Sequence, residues 1–149
     1  MSLESIAAEY HAPPESVAMV RPIVEMIEAG DRAGADVRIA RMALRCADLV
    51  ESGSMGSWVA DGAFTTLDVW LAEELGRDDT GVDERVYELM LEGNLFHGQG
   101  TIFKPDLSYM REVAAAMLAD YGLPPTGADE GDNLTDLATY RDRRNDGGG

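Results

Sequence analysis

The chain has 149 residues, 45% of them hydrophobic, which favours one globular domain and argues against wholesale disorder. It carries 28 acidic and 12 basic side chains, a formal net charge of −16, so ordinary electrostatic attraction to nucleic acid or to anionic lipid is not expected. The single cysteine, Cys46, excludes an internal disulfide and a multi-cysteine zinc site.

Two helices are predicted at the N-terminal end. The first covers residues 2–10 and ends at His11-Ala-Pro-Pro, because a residue before proline is driven out of the α region. Apolar side chains at helical spacing predict the second helix over residues 14–29. Pro22 lies inside this run and cannot donate a backbone hydrogen bond, so we expect a kink there or two short helices.

The third predicted helix, residues 35–51, has the most informative pattern. Apolar side chains cover well over half of its circumference, which predicts a helix buried in the middle of a bundle. Cys46 lies on this apolar arc, where a small core side chain is favoured over a reactive thiolate. The polar side chains of the helix form one strip: Arg38, Arg41, Arg45 and Asp48.

A glycine-rich segment, residues 53–62, predicts a loop that carries Trp58. Thr65 is then the predicted N-cap of the fourth helix, because Asp68 follows three residues later as an acidic variant of the capping box. Leucines four residues apart give this helix one apolar side, and Gly76 is its predicted stop.

A fifth helix is predicted over residues 82–91. Residues 93–104 break the pattern and indicate an ordered loop held by aromatic side chains, with a short extended stretch at residues 101–103. Asp106 is the predicted N-cap of the sixth helix, which ends at Gly122.

Two parts of the chain are therefore distinguished: a helical bundle domain over residues 1–125 and an acidic, Gly-rich flexible tail over residues 126–149. The tail contains one apolar island, Leu134, Leu137 and Tyr140, whose three-residue spacing would suit one or two helical turns on docking. The predicted fold class is an all-α, single-domain bundle of five or six helices with a disordered C-terminal tail.

The predictions for cellular location and for cofactors rest on patterns that the sequence lacks. The N-terminus lacks a basic segment before an apolar run, and no apolar run approaches the ~18 residues of a membrane span, so we expect a cytoplasmic protein without membrane contact. The two histidines, His11 and His97, lie in different predicted loops and form no spaced ligand pair. No catalytic, cofactor-binding or metal-binding residue is assigned, and no cofactor is expected.

The candidate binding residues for an anion or a partner are chosen by residue type and position. Guanidinium groups of the arginine strip suit planar anions, although pairing with carboxylates of the preceding helix (Glu25, Glu28 or Asp31) is the favoured alternative. An exposed tryptophan would be a plausible anchor for a protein partner. The candidates are Arg38, Arg41, Arg45, His97 and Trp58.

Two hypotheses for function remain. The first is a non-enzymatic acidic helical protein-interaction protein of the adaptor, chaperone-like or immunity type, whose partner is another protein or a second copy. The second is a small enzyme or anion-ligand-binding helical domain that uses the arginine strip and the Asn94–Gln99 loop. The acidity itself has competing explanations, since it also suits a cytoplasm of high salt (a possible halophile), and the arginine excess suits a GC-rich genome.

Overall fold

The computed structural model describes residues 2–76, 81–98 and 106–126. Within these ranges the secondary structure is helical, without strands, which confirms the predicted all-α bundle. The predicted tail from residue 127 onward and the predicted extended stretch at 101–103 lie outside the described residues. The six α-helices are α1 (Leu3–Glu9), α2 (Pro14–Glu28), α3 (Arg32–Glu51), α4 (Ser57–Trp70), α5 (Arg85–Asn94) and α6 (Leu107–Ala119).

Helix α3 is the central element, as its apolar circumference predicts. It packs on α2, α4, α5 and α6, most extensively on α6, and Ile39, Ala43 and Ala47 are fully buried along its length. It runs antiparallel to α6, because Arg111 near the start of α6 contacts Asp48 near the end of α3. Each end of α6 therefore lies beside the opposite end of α3.

The start of α3 is earlier than predicted. Asp31 accepts a hydrogen bond from the backbone N–H of Gly34, 2.9 Å away, and so acts as N-cap for a helix that begins at Arg32. Of the two alternatives predicted for α2, a kink at Pro22 or two short helices, the second is wrong, because one helix continues through Pro22. Burial of Val20 and Ile23 on either side of the proline compensates for the lost backbone hydrogen bond.

The predicted loop around Trp58 and the predicted N-cap at Thr65 are also wrong. Helix α4 begins at Ser57, so that Trp58 lies in its first turn. Gly62 is inside the helix at a close approach to α2, where an added Cβ would lie 2.6 Å from Ser16 Oγ. The glycine therefore reflects helix packing and does not mark a loop.

Two further contacts explain the local geometry of α4. The buried Ser16 hydroxyl donates a hydrogen bond to the carbonyl oxygen of Val59, 2.6 Å away, and ties α2 to α4. The Thr65 hydroxyl donates to Asn94 Oδ1 at 2.9 Å and ties α4 to α5. After Trp70 the helix widens to a π-turn, Leu71–Leu75, and the chain leaves it at Gly76, as predicted.

The region after α4 is partly as predicted. Helix α5 continues through Gly93, which the prediction places in a loop. The glycine is explained by a close contact with Phe64, because an added Cβ at position 93 would lie 2.7 Å from the Cβ of Phe64. A short 3-10 turn, Leu95–Gly98, follows and stacks Phe96 on Phe64 with ring centroids 6.4 Å apart. The predicted N-cap of α6 is confirmed, since Asp106 accepts the backbone N–H of Tyr109 at 3.0 Å.

No helix within residues 2–76, 81–98 and 106–126 is both long enough and apolar enough to cross a membrane.

Candidate functional site

An open groove of about 540 Å³ lies between α2, the end of α3, the connection that follows α3, and the start of α4. Its walls are mainly apolar, and one acidic and one basic side chain, Glu15 and Arg45, stand on its edges. We call it the Trp58 groove. Its larger apolar side chains are Met19, Leu49, Met55, Trp58 and Val59.

The most conspicuous member of the Trp58 groove is the tryptophan itself. With 66% of its surface exposed, Trp58 is the most exposed large apolar side chain of the described residues. Most other apolar groups of its size are buried in the core, so leaving an indole in water is energetically unfavourable for the isolated chain. Exposed aromatic groups that border a groove are typical anchors of protein interfaces.

Gly56 lies directly beside the indole ring of Trp58. This residue precedes α4 with an extended backbone that any amino acid can adopt, at φ −70° and ψ 145°. A Cβ at Gly56 would lie 2.5 Å from Cε3 of Trp58, closer than van der Waals contact allows. The indole ring therefore lies in space that a side chain at position 56 would otherwise occupy.

The floor of the groove is adaptable. Met19 and Met55 are half-buried and pack against the hydrophobic core, so their outer atoms remain accessible. Methionine side chains are unbranched and polarisable, and they adjust to partners of different shape. A rigid indole beside two methionines gives a surface that can accept an apolar side chain without requiring one particular shape.

The three arginines of the predicted strip do not share one surface. Arg45 is exposed at the edge of the Trp58 groove, Arg38 is half-buried, and Arg41 is buried with 3% of its surface exposed. Each of them interacts with neighbouring groups in the structure. The structure thus brings Arg45 together with Trp58, whereas Arg41 lies in the interior.

The other candidate residue, His97, lies elsewhere. Its backbone is in the Leu95–Gly98 turn, which packs against α4 and α5. In the same segment, Asn94 accepts the hydrogen bond from Thr65, and Gln99 lies outside the described residues. A hollow of about 400 Å³ beside Asn94 is lined by that hydrogen-bonded pair, by Tyr10, and by Asp61, Asp68 and Val69 of α4.

A buried acidic residue, Asp36, was not indicated by the sequence. It is 6% exposed in the first turns of α3, and its Oδ1 accepts the backbone N–H of Asp83 at 3.0 Å. Burial raises the pKa of its carboxyl to about 6, with a further rise from the charge of Asp83, while a hydrogen bond from Tyr121 acts in the opposite direction. One signal was available: Asp36 is an acidic residue in a helix whose other polar side chains form a separate strip.

Arg85 extends this polar cluster from Asp36 toward the surface. Its guanidinium pairs with Asp83 at 2.5 Å and also with Asp120, and the two contacts raise its pKa. The start of α5, the end of α6 and the start of α3 are thereby joined. The geometry of this cluster, with its groups directed at one another, suits a structural lock between helices more than a substrate site.

Cys46 is fully buried, and burial raises the pKa of its thiol to about 12. The thiol is therefore not ionised near neutral pH, which confirms the prediction of a core side chain. Within the described ranges no group of three or more histidine, cysteine, aspartate or glutamate residues could hold a metal ion.

Comparisons of the chain with models of known families, with curated proteins and with solved structures gave no match.

Proposed function

We propose that this chain is a non-enzymatic protein-interaction protein that binds a basic, amphipathic segment of a partner protein in the Trp58 groove. The observation that carries the proposal is the placement of Trp58, which is 66% exposed and lies against Gly56 in the lining of an open, mainly apolar groove. A tryptophan side chain has only two rotatable bonds and a large contact area, so contact with it contributes efficiently to affinity.

The shape of the groove favours a polypeptide segment as occupant. A volume of about 540 Å³, open to solvent and bounded by α2 and α4, suits a row of side chains more than an enclosed small molecule. An amphipathic helix places apolar anchors three or four residues apart along one face and is a common occupant of such grooves. Met19 and Met55 can then adjust to the anchors of the partner.

The charge of the chain favours a basic partner. With a net charge of −16, the chain attracts positively charged segments over distances of the order of the ~8 Å Debye length at physiological salt. Glu15 on the groove edge offers a carboxylate for a basic side chain near the indole. Arg45, which is exposed and also lines the groove, favours a neutral or acidic group of the partner beside it.

The alternative, an anion-ligand-binding domain that uses the arginine strip and the Asn94–Gln99 loop, has less support. It requires the three guanidinium groups to face one ligand, whereas Arg41 is 3% exposed and Arg45 lies at the groove. It also requires Asn94, whose side chain already accepts the hydrogen bond from Thr65. Among the arginines of this set, Arg45 combines exposure with a place in the same groove as Trp58.

A binding assay with two labelled probe peptides tests the proposal. Both peptides carry the same amphipathic leucine face, one with lysine and the other with glutamate on the polar face. We expect the lysine peptide to bind and the glutamate peptide to bind at least about tenfold more weakly, because only the first complements the charge of the chain. Equal binding of the two peptides would contradict the charge part of the proposal.

Two alanine variants locate the bound peptide. Trp58→Ala is expected to weaken the lysine peptide by about tenfold, in the range for an aromatic anchor. Leu91→Ala is the matched control, because Leu91 is exposed to the same degree, 65%, but lies on α5 outside the groove. Equal losses in both variants would show that exposed apolar surface, and not this groove, holds the peptide.

We also propose a cytoplasmic location. A lone cysteine kept as a buried thiol is typical of proteins in a reducing compartment. The acidity then serves one of two purposes, attraction of a basic partner or solubility at high salt, and the salt profile described in the Discussion separates them.

A further inference from the structure

We propose that residues 134–144 of the same chain bind in the Trp58 groove and that a partner must displace them. This inference rests on the proposed function in one respect, since both assign the same groove as the binding surface. Residues 134–144 would then be an intramolecular competitor that tunes the affinity of the groove for other segments.

Residues 134–144 combine the two properties proposed for the partner segment, an apolar face and basic side chains. Apolar side chains recur at three-residue spacing, which places them on one face of a helical turn. Three basic side chains follow, interrupted by Asp142, and with Asp136 residues 134–144 carry three basic and two acidic side chains, a net charge of +1. The apolar residues are Leu134, Leu137 and Tyr140, and the basic ones are Arg141, Arg143 and Arg144.

The distribution of charge supports this pairing. The chain has only 12 basic side chains, and three of them are gathered in residues 141–144. Most of the 28 acidic side chains belong to residues 1–126, including Glu15 on the edge of the groove. The basic end of the segment is thus attracted to the helical domain, and the apolar face needs an apolar surface in that domain.

The segment can reach the groove. Helix α6 ends beside the start of α3, since Tyr121 hydrogen-bonds to Asp36. From Asp36 to Leu49, the groove residue nearest the end of α3, the helix rises by about 20 Å at ~1.5 Å per residue. Eight residues lead from Thr126 to Leu134, and when extended they span about 26 Å at ~3.3 Å per residue.

A tethered segment does not need high intrinsic affinity. Attachment to the same chain gives it an effective concentration in the millimolar range, so contacts that would be weak between separate molecules are enough for substantial occupancy. A separate partner with micromolar affinity still displaces it at moderate concentration. Occupancy would also cover Trp58, whose exposure is otherwise unfavourable for a monomer in solution.

Disulfide trapping in the full chain tests occupancy of the groove. Cys46 does not interfere, because it is fully buried and its thiol pKa is raised to about 12. One variant combines Ser54→Cys, an exposed groove residue, with Asp136→Cys beside the apolar face of the segment. The fraction of intramolecular disulfide in a glutathione redox buffer gives the effective concentration of the two thiols.

The control variant combines Glu28→Cys with the same Asp136→Cys. Glu28 is exposed at the end of α2, only four residues before α3 begins, and therefore lies at the end of the bundle where α6 ends. A segment that is merely tethered would reach Glu28 at least as often as Ser54. A segment bound in the groove favours Ser54.

We expect the Ser54 pair to show an effective concentration at least about tenfold above that of the Glu28 pair, and Trp58→Ala to remove the excess. Equal values for the two pairs would overturn the inference. Disulfides that join two chains, in a yield that grows with protein concentration, would show that the segment occupies the groove of a second copy, and this result also overturns the intramolecular inference.

The competition is measured separately with the lysine probe peptide. Leu137→Glu is expected to tighten peptide binding at least about threefold, because it removes an apolar anchor of the segment and adds a negative charge that the acidic domain repels. The control is Thr139→Glu, which adds the same charge away from the apolar face and is expected to leave the affinity for the peptide unchanged. If the disulfide forms with the cysteine at position 54 but Leu137→Glu does not tighten peptide binding, the proposed competition between the segment and the peptide is overturned. A lysine peptide that fails to bind every variant overturns the proposed function, while the trapping ratio still reports on the segment.

Discussion

The indole of Trp58 lies directly against Gly56, so closely that a Cβ at position 56 would come within 2.5 Å of the ring. The backbone at Gly56 is in a conformation open to any residue, so a side chain at position 56 would disturb the nearby ring and not the backbone angles. A substitution at position 56 is therefore expected to change the orientation of the exposed Trp58 ring. It allows binding and stability to be separated experimentally.

Gly56→Ala is expected to weaken the lysine peptide about three- to tenfold while leaving Tm within about 2 °C, because the displaced group is the exposed end of a side chain and alanine lowers the entropy of the unfolded chain. Fluorescence anisotropy and thermal unfolding followed by circular dichroism measure the two quantities. A loss of stability comparable to the loss of binding would show that the ring supports the fold.

Gly93→Ala provides the contrast. Its Cβ would lie 2.7 Å from the Cβ of Phe64, a fully buried residue stacked on Phe96, so neither side can move away cheaply. We expect destabilisation by about 2 kcal/mol or more, typical of an overpacked core, and a fall in Tm of roughly 5 °C or more. A Tm equal to that of Gly56→Ala would contradict this account of the α4–α5 contact.

The buried carboxyl of Asp36 gives a prediction for pH. Its folded-state pKa of about 6 is above the ordinary value of 3.8 for an aspartate, so the fold disfavours the charged form. Stability is therefore expected to fall as pH rises from about 4 to about 6 and to stay lower above that range. Asp36→Asn removes the charge and retains an oxygen acceptor for the N–H of Asp83.

We expect Asp36→Asn to stabilise the fold at pH 7 by about 1–2 kcal/mol, and to lose most of this gain near pH 4, where the wild-type carboxyl is already protonated in the folded state. Tm measured across this pH range for both proteins tests the prediction. A gain independent of pH would point to a packing effect and not to the carboxyl charge.

Arg41 and Arg45 allow a matched comparison on one helix. Arg41→Glu places an acidic group at a site that is 3% exposed, and we expect a loss of about 2 kcal/mol or more. Arg45→Glu, four residues later and exposed, should change stability by less than about 0.5 kcal/mol. The same Arg45→Glu variant should bind the lysine peptide more tightly, because a cation leaves the groove edge; equal stability losses would contradict the placement of Arg41 in the interior.

Salt titration separates the two explanations of the acidity. If like-charge repulsion limits stability, as a salt-adapted surface implies, Tm should rise by several degrees from low salt to about 1 M potassium chloride, where the Debye length falls to ~3 Å. Peptide binding should weaken over the same range. A flat Tm with salt-sensitive binding would favour a dedicated binding surface.

Several features followed from local pattern. The burial of α3 followed from its nearly continuous apolar circumference, and the N-cap at Asp106 followed from residue type and position. Cys46 was placed in the core because it lies on the apolar arc. Each of these depends on residues within a few turns of one another, and that is the range over which helical periodicity carries information.

Other features depend on residues far apart in the chain. In the sequence, Gly62 and Gly93 both resemble loop signals. In the structure, Gly62 lies in close contact with Ser16 and Gly93 with Phe64. The start of α4 was therefore predicted eight residues too late, at Thr65 instead of Ser57. Glycine has the same local meaning in a loop and at a close helix crossing, and only the neighbouring helix distinguishes the two.

The sequence by itself determined the all-α class, the central place of α3 and the strong negative charge, because composition and helical spacing are local properties. It also marked Trp58 and Arg45 as candidates, but not that they border one groove. The tertiary structure decided which of two arginines four residues apart is buried, left Trp58 in solvent and enclosed Asp36. Exposure depends on which helices pack together across the whole chain, and no single stretch of sequence contains that information.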